Sequence, residues 1–403
     1  MVVFFLKGAS KSLSVELEDY FQTHGKQETT CSKQAVSKAR MKLKHEAFIV
    51  LNDAAVEEYY DTNYKTYKGY RLLAADGSMI ELPPGESIRE EYGSSNNSKQ
   101  RVNCGWSVVF YDVLNEMIVS AKLHEYGKSE RQYLLEQANQ IQTDGKQKRD
   151  LIIADRGFPS LAVFVQLQQM GYNFLIRYNG EQFLKELKEL VTSDDDDMVI
   201  EATLDGSEKR RKNAELQELL RKGTSRVMRL RVVKIKLPSG ENEYLVTSVL
   251  DSKELQKDDL KQIYGYRWSE EEHFKFQKHS VELENFSGKT SESIRQDYYS
   301  KILILNLHSV LVQEAEKQLA EEQTDKKDEL KYERYKINRN ISYGLVHREI
   351  IALLNSENGN WINVYDELIK KIKRYKIPVI NGRSNPRKSK WTLKYPPNKR
   401  RAI

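Results

Sequence analysis

Cysteine is almost absent from this 403-residue sequence: Cys31 and Cys104 stand alone, 73 positions apart. Such a pair builds neither a disulfide scaffold nor a zinc knuckle, and a reducing cytoplasm is the expected compartment. Long apolar runs are missing too. No stretch approaches the roughly 18 uncharged apolar residues of a membrane-spanning helix. The opening MVVFFLKGAS is too short for a signal peptide and lacks its cleavage site, so it reads as the buried start of a helical region. The seven histidines form no zinc-type cluster, and no internal repeat is present. Acidic residues vanish from Lys370 onward, where 13 Lys or Arg residues occur without one Asp or Glu. A segment of that density favours a polyanion, DNA or RNA foremost, while a solubilising tail is the plainer reading. Net charge over the whole chain is only +6. With 39% hydrophobic and 31% charged residues, the composition is that of a folded protein of two or three domains.

Residues 1–65 read as helical. Ser32 is placed to cap a helix from Lys33 that carries Ala35, Val36, Ala39, Leu43 and Ala47 on one side. Lys33, Lys38, Arg40, Lys42 and Lys44 line the other, where they suit duplex phosphates, although an ordinary amphipathic helix has the same pattern. Near Tyr70 the texture changes to strands. YRLLAAD ends on Asp76 and turns through Gly77-Ser78. A tight turn is the plain reading, and a carboxylate at a strand edge the functional one. Residues 90–103 read as a loop, Cys104–Tyr111 with Met117–Leu123 as a hairpin, and Ser129–Ile141 as a helix. LIIAD then stops at Asp155 before Arg156-Gly157-Phe158-Pro159, the pattern of a buried strand delivering a carboxylate to a cleft. With Phe174–Tyr178 the order is β-β-β-α-β-α-β. Neighbouring first and fourth strands would bring Asp76 and Asp155 to one edge of a mixed sheet.

Between 183 and 250 strand alternation returns around a Pro238-Ser239-Gly240 turn. Asp194–Asp197 reads as a solvated loop, because consecutive residues cannot all face one ion. Arg226, Arg229, Arg231, Lys234 and Lys236 lie in this segment, and alternation leaves one face available to DNA. Beyond it stands YGYRWSEEEHFKFQK, residues 264–278. On a single helix Tyr264, Arg267, Glu271 and Lys278 fall within a stripe about 60° wide. One carboxylate then sits beside two cations and a phenol. Arg and Lys suit phosphate, and the Glu suits a divalent ion; a surface helix laced by i,i+4 pairs is the plainer alternative. Residues 292–318 predict a long helix buried on several sides at Ile302–Leu305, and Leu345–Leu354 and Val364–Ile372 are further helical segments.

Asp76, Asp155 and Glu271 make a set of three carboxylates suited to a pair of divalent ions acting on a phosphodiester. Oxygen ligands favour Mg2+. At these residues the sequence resembles the IS4-type insertion-sequence transposases of the DDE class. The family's Tyr-(2)-Arg-(3)-Glu-(6)-Lys signature stands here without a gap as Tyr264, Arg267, Glu271 and Lys278. Asp76 in AADGS and Asp155 in IADRGF match its two aspartates, and the resemblance covers roughly residues 60–400. It implies an α/β fold: an RNase H-like mixed sheet flanked by helices, interrupted by a mainly β insertion, with helical N- and C-terminal regions. The expected segments are a helical DNA-end-binding region at 1–65, the first part of the core at 66–182 and the insertion at 183–255. The second part of the core with the Glu helix follows at 256–320, and a helical region with the basic tail at 321–403.

The resemblance further implies cut-and-paste transposition on double-stranded DNA, by a homodimer in the DNA complex. Asp76, Asp155 and Glu271 would hold two Mg2+ ions, with Mn2+ as a substitute. Strands would be nicked at terminal inverted repeats, closed into hairpins, reopened and joined to target DNA. Arg267 and Lys278 would hold phosphates, and Tyr264 would donate a hydrogen bond to one. Trp268 would stack on a base displaced by the hairpin, or else serve the core. A cytoplasmic, nucleoid-associated bacterial protein without membrane contact is implied. Two other readings stay open: an RNase H-like nuclease that never joins strands, and a domesticated DNA-binding descendant. The descendant is expected to lack a carboxylate, and all three are present. Hydrolysis alone does not need the large β insertion.

Overall fold

A computed structural model of the chain describes residues 2–6, 13–23, 31–62, 64–97, 100–178, 190, 195–237, 240–325, 332, 334–356 and 360–379. The basic segment beyond Val379, Asp194 of the acidic run and Pro238-Ser239 of the expected turn lie outside the described residues. The chain forms two compact units, Val56–Phe274 and Met1–Ala55 with Lys275–Ile403.

The first unit is built on one nine-stranded mixed sheet. Its strands are β1 (Arg71–Glu81), β2 (Ser94–Asn97), β3 (Gln100–Asp112), β4 (Met117–Glu125) and β5 (Asp150–Ala154). β6 (Asn173–Tyr178), β7 (Asp197–Thr203), β8 (Val227–Lys236) and β9 (Asn242–Thr247) complete it. β1 runs antiparallel to β3 and parallel to β5, β3 pairs antiparallel with β4, and β5 runs parallel to β6. The order β4-β3-β1-β5-β6 is the RNase H-like core. β9, β8 and β7 then extend it antiparallel from the free edge of β6, so the expected insertion continues the core sheet.

Both faces of the sheet centre are covered, which is why β5 reads as an uninterrupted apolar run and is wholly buried. Side chains alternate along each strand. Leu73, Ala75, Ile152, Ala154, Phe174 and Ile176 share one core cluster with the helices Glu130–Thr143 and Leu161–Gln169. Leu72, Ala74, Leu151, Ile153 and Leu175 take the opposite side and are fully buried. The helix Arg267–His279 meets that opposite side, where His273 stacks on Tyr111, the register partner of Ala74, with ring centroids 4.1 Å apart.

Three expectations are corrected in this unit. YRLLAAD does not turn at Gly77-Ser78: β1 runs unbroken to Glu81, because β3 pairs with it on through Asp76↔Val109 and Gly77↔Val108. The described residues of 90–103 are not a loop: they are the end of the helix Glu86–Tyr92, β2 and the start of β3. Arg231 presents no charge to DNA. It is 1% exposed, doubly bonded to Asp197 (2.8 and 2.6 Å) and donates to the Leu255 carbonyl.

The second unit is mainly helical. Ser32 Oγ accepts from Ala35 N and caps the helix Lys33–Arg40, which is shorter than expected; a separate helix runs Glu46–Tyr60. Arg40, counted among the phosphate-facing cations, is instead bonded to Gln296 (2.6 Å), Ser287 (2.6 Å), the Ser293 carbonyl (2.8 Å) and Asp297 (2.8 Å). The 35-residue helix Ser291–Asp325 is the spine of this unit, and its Ile302–Leu305 stretch is buried all round. Lys301 on that helix donates to the carbonyls of Glu282 and Asn285, and His308 meets Ser342 of the helix Arg339–Leu354. The helix Trp361–Arg374 and a two-stranded ribbon, β10 (Arg334–Ile337) with β11 (Lys376–Val379), complete the described part.

Arg71 opens β1 and Asp150 opens β5, and the two form a buried ion pair with both carboxylate oxygens engaged (2.6 and 2.7 Å). The Arg71 guanidinium lies 4.6 Å from the Tyr60 ring centre, and Tyr60 donates to Asp112 at the other end of β3. Loss of one partner leaves a charge in the core. Arg71→Met and Asp150→Leu should each lower stability by about 3–5 kcal/mol, and the double variant should regain most of it. Urea unfolding followed by circular dichroism checks this; single variants as stable as the wild type would mean the pair is dispensable.

Candidate active site

The two aspartates expected to act together are brought together by strand register. Arg71, Leu72, Leu73 and Ala74 oppose Asp150, Leu151, Ile152 and Ile153. Asp76 and Asp155 each lie five residues beyond their strand's member of the buried ion pair, so the same register carries them to corresponding positions. β5 ends at Ala154, while β1 continues against β3 alone. The sheet therefore opens where the carboxylates emerge.

Asp76 Oδ1 accepts from the Gly77 amide (2.9 Å). Burial pushes the Asp76 carboxyl up to about 7; the neighbouring Asp155 and Glu130 charges add to this, and the Gly77 amide and Arg267 work against it. Asp155 heads a tight turn, with Oδ1 accepting from Gly157 N (2.7 Å). A Cβ on Gly157 would stand 3.0 Å from that oxygen, so a larger residue here would push the carboxylate aside by a few tenths of an ångström.

Glu130 is a carboxylate the sequence reading missed. It opens the helix Glu130–Thr143, and a Cβ on Gly77 would overlap its Oε1 as well as Trp106 Nε1. Burial, then the Asp155 charge, raises its proton affinity. Among the described residues, none of Asp76, Asp155 and Glu130 forms a salt bridge. Only the glutamate after Ser129, at a helix start, signals it in the sequence, and that is an ordinary helix-start residue.

The Tyr264–Lys278 stripe does not lie on one helix. The helix Lys257–Gly265 ends at Gly265, Tyr266 is a turn, and a second helix runs Arg267–His279. Glycine's poor helix propensity accounts for the break at that point. The start of the first helix is pinned to residues just before β1: Tyr67 and Lys68 both bond Asp259 (2.8 and 2.5 Å), and Tyr70 bonds Glu254 (2.5 Å). Arg267 Nη1 donates to Glu271 Oε1 (2.7 Å), and its guanidinium lies 5.5 Å from the ring centres of both Tyr264 and Trp268. The Tyr264 hydroxyl and Arg267 Nε are buried and face each other without a well-formed hydrogen bond. Burial pushes the Tyr264 phenol up to about 12. Trp268 is 50% exposed, which rules out the core role.

Asp76 thus feels the charges of Asp155, Glu130 and Arg267, and Arg267 in turn holds Glu271. Lys278 belongs to the helical unit, where it approaches Glu284 at 4.0 Å. Oxygen donors alone suit a hard divalent cation, but among the described residues the group whose ligand atoms all lie within 4.8 Å of one another is His45, Glu46 and Glu292, so these carboxylates are not drawn together at ion-binding distance.

A sequence model described as the transposase DDE domain matches residues 67–307, a span containing all three expected carboxylates. No curated protein matches the chain significantly. Among solved structures, the chain is similar to piggyBac transposase in a synaptic complex with hairpin DNA. The TM-score is 0.39 at 11% identity, covering 79% of this chain and 60% of that one. A second similar structure is Mos1 transposase in a paired-end complex with the left transposon end, with a TM-score of 0.19 at 15% identity, covering 40% and 56%. The chain belongs to the transposase DDE domain family.

Proposed function

We propose that this chain is an IS4-type transposase that moves an insertion sequence by cut-and-paste, with Asp76, Asp155 and Glu271 as the metal-holding carboxylates. The observation that supports it most is the register that sends Asp76 and Asp155 to one opening of the sheet. Glu271 is taken as the third acid on the strength of the signature, and Arg267, which engages its Oε1, is also the cation felt by Asp76. Bound Mg2+, with Mn2+ as a substitute, would supply Lewis-acid stabilisation of charge on the scissile phosphate and its attacking and leaving oxygens. The chain's own groups do the positioning. Arg267, already buried against Tyr264, offers its unpartnered Nε to a phosphate oxygen, and the Tyr264 hydroxyl offers a second donor. Lys278 adds a further cation, and half-exposed Trp268 offers a face on which an unpaired base can stack. On this reading the partners are terminal inverted repeats and target DNA, bound by a homodimer. Residues 1–65 read the ends and 183–255 form the insertion. The protein works in a bacterial cytoplasm at the nucleoid.

Asp76→Ala, Asp155→Ala and Glu271→Ala should each abolish cleavage of labelled transposon-end DNA in Mg2+ while keeping gel-shift affinity for the same fragment. Hairpin formation also needs a strand end bent sharply toward its complement, with phosphates held close against their repulsion. Arg267→Ala and Lys278→Ala should therefore keep some first-strand nicking yet lose most hairpin product on a denaturing gel. Equal loss of both products would remove the stage-specific role; a wild type that nicks and never joins strands would favour a simple nuclease.

The Asp76 carboxyl titrates at about 7 against an ordinary 3.8. Folding therefore binds a proton between those values, and the metal-free protein should lose stability as pH rises through that window. Metal binding must displace the same proton, so Mn2+ affinity should climb up to about pH 7 and then level off. Asp76→Asn should flatten the stability profile between those pH values, as read by melting temperature against pH without metal.

A further inference from the structure

His45 stands at the start of the helix Glu46–Tyr60 and meets the first turn of the spine helix Ser291–Asp325. Its Nδ1 lies 2.8 Å from Glu292 Oε2 and 3.3 Å from Glu46 Oε2, and the three ligand atoms are all within 4.8 Å of one another. Donors about 2.1 Å from one tetrahedral ion lie roughly 3.4 Å apart, which is the spacing of this set. Two of the donors are held by contacts that leave their ligand atoms free. The His45 ring stacks on Tyr299, with centroids 5.6 Å apart and 18° between the planes, and this fixes the direction of Nδ1. Glu292 uses its other oxygen, Oε1, to accept from the His45 amide (2.8 Å).

Hydrogen bonding alone does not account for the convergence. An imidazole Nδ1 carries at most one proton and so satisfies one carboxylate. Both glutamates nevertheless turn to that nitrogen, and among the described residues neither forms a salt bridge with a Lys or Arg. A glutamate in the first turn of a helix is served by backbone amides and solvent, without a second acid beside it.

We propose that His45, Glu46 and Glu292 form a metal site that shares no residue with the sheet opening. An imidazole with two carboxylates suits Zn2+ better than Mg2+, which prefers oxygen alone. Three protein donors leave a fourth position, and Glu46, with its side chain 63% exposed, gives that position access to solvent. Bound there, the ion joins the start of Glu46–Tyr60 to the first turn of Ser291–Asp325.

The test is Zn2+ titration of the full chain without DNA or Mg2+, in competition with a chromophoric chelator, with the melting temperature read alongside. It is run in an Asp155→Asn background, so that Zn2+ taken at the sheet opening is not counted, and compares His45→Gln, Glu46→Gln and Glu292→Gln with the unchanged background. The background protein should bind one Zn2+ and melt at a higher temperature with it. Each of the three changes should weaken that binding about 10-fold or more. His45 and Glu292 also link the two helices, so their variants should lower the metal-free melting temperature. Glu46→Gln leaves that link in place and should weaken Zn2+ binding while the metal-free melting temperature holds. Unchanged Zn2+ affinity in His45→Gln or in Glu46→Gln overturns the assignment and leaves a salt bridge between two helix starts. A background protein that takes up no Zn2+ overturns it as well, and leaves the reading of Asp76 and Asp155 untouched.

Discussion

The buried ion pair between Arg71 and Asp150 decides which rung of β1 faces which rung of β5. The apolar residues that follow, Leu72-Leu73-Ala74-Ala75 against Leu151-Ile152-Ile153-Ala154, would bury comparable surface in more than one register. Charge discriminates where they do not. A slip by one residue turns every side chain to the other face and leaves a guanidinium in the core without its carboxylate. The consequence appears five residues later, where the same register delivers Asp76 and Asp155 together. Tyr60 and Asp112 extend the constraint to β3, since Tyr60 lies against Arg71 and donates to Asp112.

Beyond that pair, the site is assembled by close approaches that only particular residues allow. Gly77 admits Glu130, Gly157 lets its amide turn back to Asp155, and the break at Tyr266 separates Tyr264 from the helix of Arg267 and Glu271. The break has an electrostatic effect. Arg267 sits on the first turn of its helix, half-enclosed by Tyr264 and Trp268, where it holds Glu271 and is felt by Asp76. One guanidinium therefore carries charge between the sheet edge and the helix.

Much of this was legible in the sequence because it depends on local patterns. Apolar runs stopping at Asp76 and Asp155, the spacing of Arg267 and Glu271, and the long apolar helix through Ile302–Leu305 all leave short-range marks. The failures come from pairing over long range. Asp-Gly ordinarily turns, yet β3 lies alongside and keeps β1 extended through Gly77. Arg40 and Arg231 look like surface cations in composition, and only the fold shows that Asp297 and Asp197 claim them. Glu130 was hidden because a glutamate after Ser129 is what any helix start prefers, and its approach to Gly77 spans the helix Glu86–Tyr92 and the strands β2, β3 and β4.

The contrast between the two kinds of buried charge bears on what the site is for. At Arg71–Asp150 and Arg231–Asp197 each carboxylate has a bidentate cation, and the charge is closed off. At the sheet opening burial, with the Asp155 and Glu130 charges added, raises the proton affinity of Asp76, and Arg267 is the cation that works against it. A fold selected for stability alone would pair or remove these acids, so the local conflict marks a place held for something else. On the proposed reading, a carboxyl poised near neutrality releases its proton to an arriving divalent ion at little cost. The like charges that raise its proton affinity then become the source of its affinity for the ion.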